Sequence, residues 1–155
     1  MTRIAIVTDS HNNKVNIERF IELCRREKYD LVIHLGDFAE DAHAIERALG
    51  GIAVLNVAGN CDFFSRDDEQ LVYTCEQHRM LLVHGHNSHV KYGLTQLSYQ
   101  ADSEMCKIAL YGHTHIPFIG YVGDVLMINP GALQNGHYCE LELTPKDIIP
   151  INKTL

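Results

Sequence analysis

The segment Ile4-Ala5-Ile6-Val7-Thr8-Asp9-Ser10-His11 runs from four apolar residues straight into a carboxylate and an imidazole. Leu31-Val32-Ile33-His34-Leu35-Gly36-Asp37 ends in the same way. Short apolar runs rich in β-branched residues that stop at polar residues or glycine read as buried strands leaving a sheet. Between the two, Ile17, Phe20, Ile21 and Cys24 repeat at i, i+3, i+4 and i+7, with charged residues filling the gaps. That spacing predicts an amphipathic helix over Asn12–Tyr29, capped by Asn12 or Asn13. A second helix is expected over Glu40–Leu49, ended by Gly50-Gly51 and followed by a strand over Ile52–Val57. The order β-α-β-α-β favours parallel strands joined by right-handed crossovers.

Further strands are expected over Met80–Val83, Lys107–Tyr111, Tyr121–Ile128 and Tyr138–Leu143, and a third helix from about Val90 to Tyr99. No linker, repeat or low-complexity stretch divides the 155 residues, so residues 1–155 read as one α/β domain. Thirteen basic and 20 acidic residues give a net charge of −7, which argues against extended nucleic-acid binding. The five cysteines are scattered, with no C-x-x-C pair, so neither a disulfide framework nor a structural zinc site is indicated. No apolar run approaches the ~18 residues a membrane helix needs. The start turns polar too soon for a signal peptide, so a cytoplasmic protein is expected. Exposed apolar residues on the strand-rich half could support a homo-oligomer.

Polar residues cluster where the strands stop. Asp9 and His11, Asp37, Asn60, His84, and His113 with His115 follow five successive predicted strands. In open α/β sheets the carboxyl ends of parallel strands are where ligands bind. A single Asp-x-His or Gly-Asp is an ordinary turn, but unrelated turns would not deliver metal-ligand side chains five times over. Asp, His and Asn suit a divalent first-row cation. Seven side chains are too many for one tetrahedral ion and enough for two. Asp9 and Asp37 contribute −2, so two divalent ions leave a positive site that attracts phosphate and acidifies a bound water. A pair of ions ~3.5–4 Å apart can clamp both the attacking and the leaving oxygens of an in-line displacement.

Asp9-x-His11, Gly36-Asp37, Gly59-Asn60-Cys61-Asp62, His84-Gly85 and Gly112-His113-x-His115 resemble, in order, the five motifs of the calcineurin-like metallophosphoesterases. The match is to their small bacterial and archaeal phosphodiesterase group and spans Ile4 to about Gly131. The resemblance implies a four-layer α-β-β-α sandwich of two mixed β-sheets. It further implies that Asp9, His11 and His115 hold one ion, that Asn60, His84 and His113 hold the other, and that Asp37 bridges them. A bridging hydroxide would then attack phosphorus while the ions and Asn60 stabilise the developing charge. Two divalent metal ions are expected, with Mn favoured over Ni, Fe, Zn or Mg, and a small phosphodiester as substrate. No membrane partner is expected.

Larger members of the family carry His where this chain has Cys61. A thiol is a weaker acid than an imidazolium, which favours substrates with good leaving groups. Asp62 is expected to orient a ligand or cap a turn. His86 either contacts substrate or is solvated, and Asn12 either touches phosphate or caps the helix. His34 reads as a hydrogen-bonded core histidine. Phe63-Phe64-Ser65-Arg66 reads first as a generic surface loop and second as a rim of the pocket. The rival function is a protein-binding scaffold on the same fold, as in a retromer subunit defective at its metal site. A nuclease is disfavoured by the absence of a basic groove.

Overall fold

The computed structural model describes residues 1–155. Its order is β1 (Thr2–Val7), α1 (Lys14–Glu27), β2 (Leu31–His34), α2 (Ala39–Leu49), β3 (Ala53–Asn56), β4 (Gln70–Cys75), β5 (His78–Val83), α3 (Thr95–Ser103), β6 (Ile108–Leu110), β7 (Phe118–Val122), β8 (Val125–Asn129), β9 (His137–Leu143) and β10 (Ile148–Thr154). Two five-stranded mixed sheets result, ordered β10-β9-β1-β2-β3 and β4-β5-β6-β8-β7. β1, β2 and β3 are parallel, as are β5, β6 and β8.

The period-two alternation of strand side chains builds the layers. Ile4, Ile6, Leu31 and Ile33 of the first sheet meet Met80, Leu82, Ile108, Leu110, Leu126 and Ile128 of the second in one buried cluster. The intervening Ala5, Val7 and Val32 face the other way and pack on Ile17, Phe20, Ile21 and Cys24 of α1 and Ile45 of α2. Leu81, Val83, Ala109, Val125 and Met127 likewise back onto Leu97 and Ala101 of α3. The architecture is the four-layer α-β-β-α sandwich. Asn13, not Asn12, caps α1, its side chain accepting from the Asn16 N–H.

Three local expectations differ from the fold. α3 begins at Thr95 rather than near Val90, because His89 (φ 53°) and Gly93 (φ 134°) leave the helical region and Val90–Tyr92 makes only a 3₁₀ turn. The run Tyr121–Ile128 is two strands, β7 and β8, folded back at Gly123-Asp124 with Val122 paired to Val125. β4 and β10 were not anticipated. Both are half-buried edge strands, with Glu76 and Gln77 in left-handed conformations turning β4 into β5. β10 carries Pro150, which an edge tolerates because one side of the strand needs no donor.

Glu140 on β9 is buried and accepts from Tyr29 Oη (2.6 Å) and Lys153 Nζ (3.2 Å), with Arg3 at 3.3 Å. Burial pushes its carboxyl pKa up, but the three donors together outweigh that and hold it below the usual glutamate range. Glu140→Ala strands those donors and should destabilise the protein by about 2 kcal/mol at pH 7 in urea unfolding. The wild-type advantage is present above the unfolded-chain value of about 4.3 and lost as the pH falls through the lower folded value. The gap between the two proteins should therefore narrow in acid.

Candidate metal centre

The chain turns sharply as it leaves β1, β2 and β6. Asp9 (φ 52°), His11 (φ 44°), Asp37 (φ 59°), His113 (φ 69°) and His115 (φ 64°) are all left-handed, although none is glycine. Each such residue costs on the order of 1 kcal/mol or more, so the surroundings must over-determine it. They do so through backbone bonds between the loops. Asp9 N donates to Gly36 O (3.0 Å), Leu35 N to Val7 O (2.9 Å), Gly112 N to His84 O (2.8 Å) and Leu133 N to Thr8 O (2.8 Å).

The two aspartates are buried, and each has one oxygen tied down and the other delivered. Asp9 Oδ2 accepts from Thr8 Oγ1 (2.8 Å) and His113 N (3.0 Å), which leaves Oδ1 3.0 Å from His115 Nε2 and 3.5 Å from His11 Nε2. Asp37 Oδ1 accepts from Cys61 N (3.0 Å), which leaves Oδ2 3.5 Å from His11 Nε2 and 3.4 Å from His84 Nε2. The His84 ring, rooted in the second sheet, donates from Nδ1 to the Leu35 carbonyl of the first (2.8 Å). That bond sets its tautomer and turns the Nε2 lone pair toward Asp37, Asp9 (3.8 Å) and His113 Nδ1 (3.2 Å).

His115 Nε2 and Asp9 Oδ1, and His113 Nδ1 and His84 Nε2, stand at hydrogen-bond distance, so a proton or a cation must sit between the members of each pair. For His84, burial lowers the pKa, but Asp37 and Asp9 overcome it and the value is raised. Burial alone would raise Asp37, yet His84 and Cys61 hold it far below the usual carboxylate range. Burial and then the His84 charge push His113 down to about 4.

Three overlapping groups have ligand atoms within 4.8 Å of one another: Asp9/His11/His115, Asp9/Asp37/His84 and His11/Asp37/Cys61. Both aspartates recur, as neighbouring ion positions sharing carboxylates would require. His11 Nε2 is buried with no hydrogen-bond partner while lying 3.5 Å from both carboxylates, so the residues present fit a divalent cation.

The remaining candidates are less uniform. Asn60 is exposed, its side-chain amide donating to Cys61 Sγ (3.8 Å). Cys61 lies close to His11 and Asp37, and burial together with the Asp37 charge raises its thiol to about 11. Asp62 accepts from the N–H groups of Ala39 (2.7 Å), Gly59 (2.8 Å) and Asp37 (3.1 Å), clasping the second and third loops together. The His86 ring sits 5.5 Å from that of His84 with Nδ1 buried and unpaired. Asn12 is exposed, and its N–H donates to Asp41 Oδ2 (2.8 Å).

The sequence placed His34 as a hydrogen-bonded core histidine, but not its partners or the other supports. Ser10 Oγ donates to Asp41 Oδ2 (2.7 Å) and bonds His34 Nε2 (2.8 Å), while His34 Nδ1 accepts from Gly36 N (3.2 Å). Burial, the largest influence, lowers the His34 pKa to about 4, so this fully buried ring is a neutral strut beneath the first two loops. Gln134 meets His115 Nδ1 at 3.2 Å, and Asn129 Nδ2 braces Gly112 O (3.2 Å) and Thr114 Oγ1 (3.0 Å). Asn129 carried a local signal in Asn129-Pro130-Gly131. Gln134 carried none, because only the crossing of its turn over β1 brings it near.

A profile of the calcineurin-like phosphoesterase superfamily domain matches residues 2–141. The chain is 31% identical over 131 residues to the probable metallophosphoesterase YsnB of Bacillus subtilis, covering 84% of this chain and 75% of that protein. It is 28% identical over 143 residues to phosphodiesterase MJ0936 of Methanocaldococcus jannaschii, covering 83% and 82%. A crystal structure of a predicted phosphoesterase from Streptococcus pneumoniae superposes with a TM-score of 0.81 at 26% identity, over 99% of this chain and 89% of that one.

Gly59 lies so close to Asp37 that a Cβ there would overlap its Oδ1 and sit 2.6 Å from its backbone nitrogen. Gly59→Ala should therefore displace the carboxylate and weaken Mn²⁺ binding about tenfold or more in calorimetric titration, with the far-UV circular dichroism retained. Unchanged Mn²⁺ affinity would show that Asp37 is not a ligand.

Proposed function

Since this chain belongs to the calcineurin-like phosphoesterase superfamily, we propose that it is a dinuclear metal-dependent phosphodiesterase acting on small phosphodiesters. One observation carries the reading: two buried aspartates and His11, His84, His113 and His115 turn oxygen and nitrogen atoms able to ligate a metal on one another at the junction of the two sheets. The phosphodiesterase name of the M. jannaschii relative supports the diester preference.

Asp9, His11 and His115 would hold one ion, His84, His113 and Asn60 the other, with Asp37 between them. Two divalent ions, Mn²⁺ first, supply Lewis acidity and an activated water at neutral pH. The chain's own residues do the rest. The Leu35 carbonyl keeps the proton of His84 on Nδ1, so that Nε2 stays a donor of its lone pair. Thr8 and the His113 N–H hold Asp9 in register. Asn60, exposed at the mouth, offers amide hydrogens to the non-bridging oxygens as charge develops on them. Cys61, the thiol near the site, is too weak an acid to protonate a departing oxygen well, so esters of acidic alcohols and phenols should react best.

No helix is long and apolar enough to cross a membrane.

Purified protein with Mn²⁺ or Ni²⁺ should hydrolyse bis(4-nitrophenyl) phosphate faster than 4-nitrophenyl phosphate, and chelation should abolish both reactions. Asp37→Ala should lower kcat by roughly 10³ or more. Faster monoester turnover would reverse the substrate order, and no hydrolysis with any divalent metal would favour the scaffold. Across a phosphodiester series the rate should fall steeply as leaving-group pKa rises; a flat plot would remove Cys61 from the account.

A further inference from the structure

Beside the metal cluster lies a groove of about 550 Å³ between the start of α2 and the loop after the third motif. Phe38, Phe63, Phe64, Arg66 and Glu40 line it, and Cys61 forms its inner edge. Cys61 connects the two regions, because its Sγ lies within 4.8 Å of the facing atoms of His11 and Asp37. Phe38 does so as well, with its ring edge-on to His11 at 5.2 Å. A substituent on a phosphorus held at the cluster would leave it directly into this groove.

The lining is unusual for a surface loop. Phe63 and Phe64 are adjacent and 84% and 99% exposed. Two neighbouring phenyl rings kept in water forgo the burial that ordinarily places them inside. The loop that carries them is nevertheless braced, since Asp67 accepts from Ser65 Oγ (2.8 Å) and pairs with His43 (3.1 Å). Arg66 and Glu40 are exposed in the same groove and enter no salt bridge, so a guanidinium and a carboxylate remain free. Aromatic faces with one cation and one anionic acceptor suit a flat, π-rich ring with hydrogen-bonding edges.

We propose that this groove is a specificity subsite for the base of a nucleoside, carried as the non-leaving arm of the diester. The inference rests on the phosphodiesterase reading and names its substrate class. Phe63 and Phe64 close over one face of the base, Arg66 stacks on or bonds it, and Glu40 accepts from its amino or imino hydrogens. The groove takes one nucleoside, and a chain of net charge −7 does not favour a polymeric nucleic acid.

The test compares two diesters with the same leaving group, thymidine 5′-(4-nitrophenyl) phosphate and methyl 4-nitrophenyl phosphate, on the Mn²⁺-loaded protein. The nucleoside ester should have about tenfold higher kcat/KM, mainly through KM. Phe64→Ser and Arg66→Ala should each remove about fivefold or more of that preference while leaving turnover of the methyl ester unchanged. Equal kcat/KM for the two esters would overturn the proposal, as would variants that slow both alike. It would also fall if Phe64→Ser dissociated a dimer in sedimentation with the preference intact, since the phenylalanines would then serve self-association. Titration of thymidine 5′-monophosphate into the Mg²⁺-loaded protein, followed by NMR, separates the two readings. If neither ester is cleaved, the diesterase reading falls, but nucleotide binding that disappears in Phe64→Ser still supports the groove. No binding in the wild type refutes it.

Discussion

Asp9 and Asp37 are both buried and present oxygens within 4.8 Å of each other, in a space they share with His84. At an effective dielectric near 20, two like charges at that separation repel by about 3 kcal/mol. Burial adds a desolvation cost that only a counter-charge can offset. The fold meets part of this with Thr8 Oγ1 and the N–H groups of His113 and Cys61, one oxygen of each carboxylate being tied down in this way. The other two oxygens and the imidazole nitrogens face inward, an arrangement that needs protons or cations between them. The raised pKa of His84 and the depressed pKa of Asp37 express the same constraint.

Holding those groups in place explains several features that would otherwise count against stability. Five residues of the cluster are in left-handed conformations, and two glycines are required by contact rather than by φ. A Cβ on Gly59 would overlap the Asp37 carboxylate, and one on Gly112 would overlap Thr8 Oγ1. The cost is spread over backbone bonds between loops and over the buried Ser10–His34–Asp41 strut. The large apolar layer between the sheets is the reserve against which such strain can be carried. Because the cluster lies where the two sheets meet, with His84 of one bonded to Leu35 of the other, sheet packing and site geometry are one structure.

Much of this was legible in the linear chain. Strands β1, β2, β5 and β9 and helices α1 and α2 announced themselves because burial on a fixed face imposes a period that the residues must follow. The edge strands β4 and β10 did not, since a half-buried edge tolerates mixed polarity and even Pro150. The third helix was displaced because His89 and Gly93, both at positive φ, break a pattern that apolar spacing alone continues. Within the site, the Asp and His residues stood out by recurring at strand ends. Asp41, Gln134 and Asp62 could not be assigned their partners that way, because their roles lie in contacts with loops far off in the chain.

The sequence by itself therefore determined the main strands and helices and the side chains at the strand ends that can carry metal chemistry, through local periodicity and residue type. The layer order was implied only by the resemblance that the five ordered motifs carry to a family. Only the tertiary structure decided which oxygen of each aspartate faces the cluster, which nitrogen of His84 keeps its proton, and that Cys61 lies against the cluster. It also brought Phe38 and the loop of Phe63 and Phe64 to one groove. These are matters of ångströms and bond direction between residues distant in the chain, and no pattern along the chain encodes them until the sheets pack.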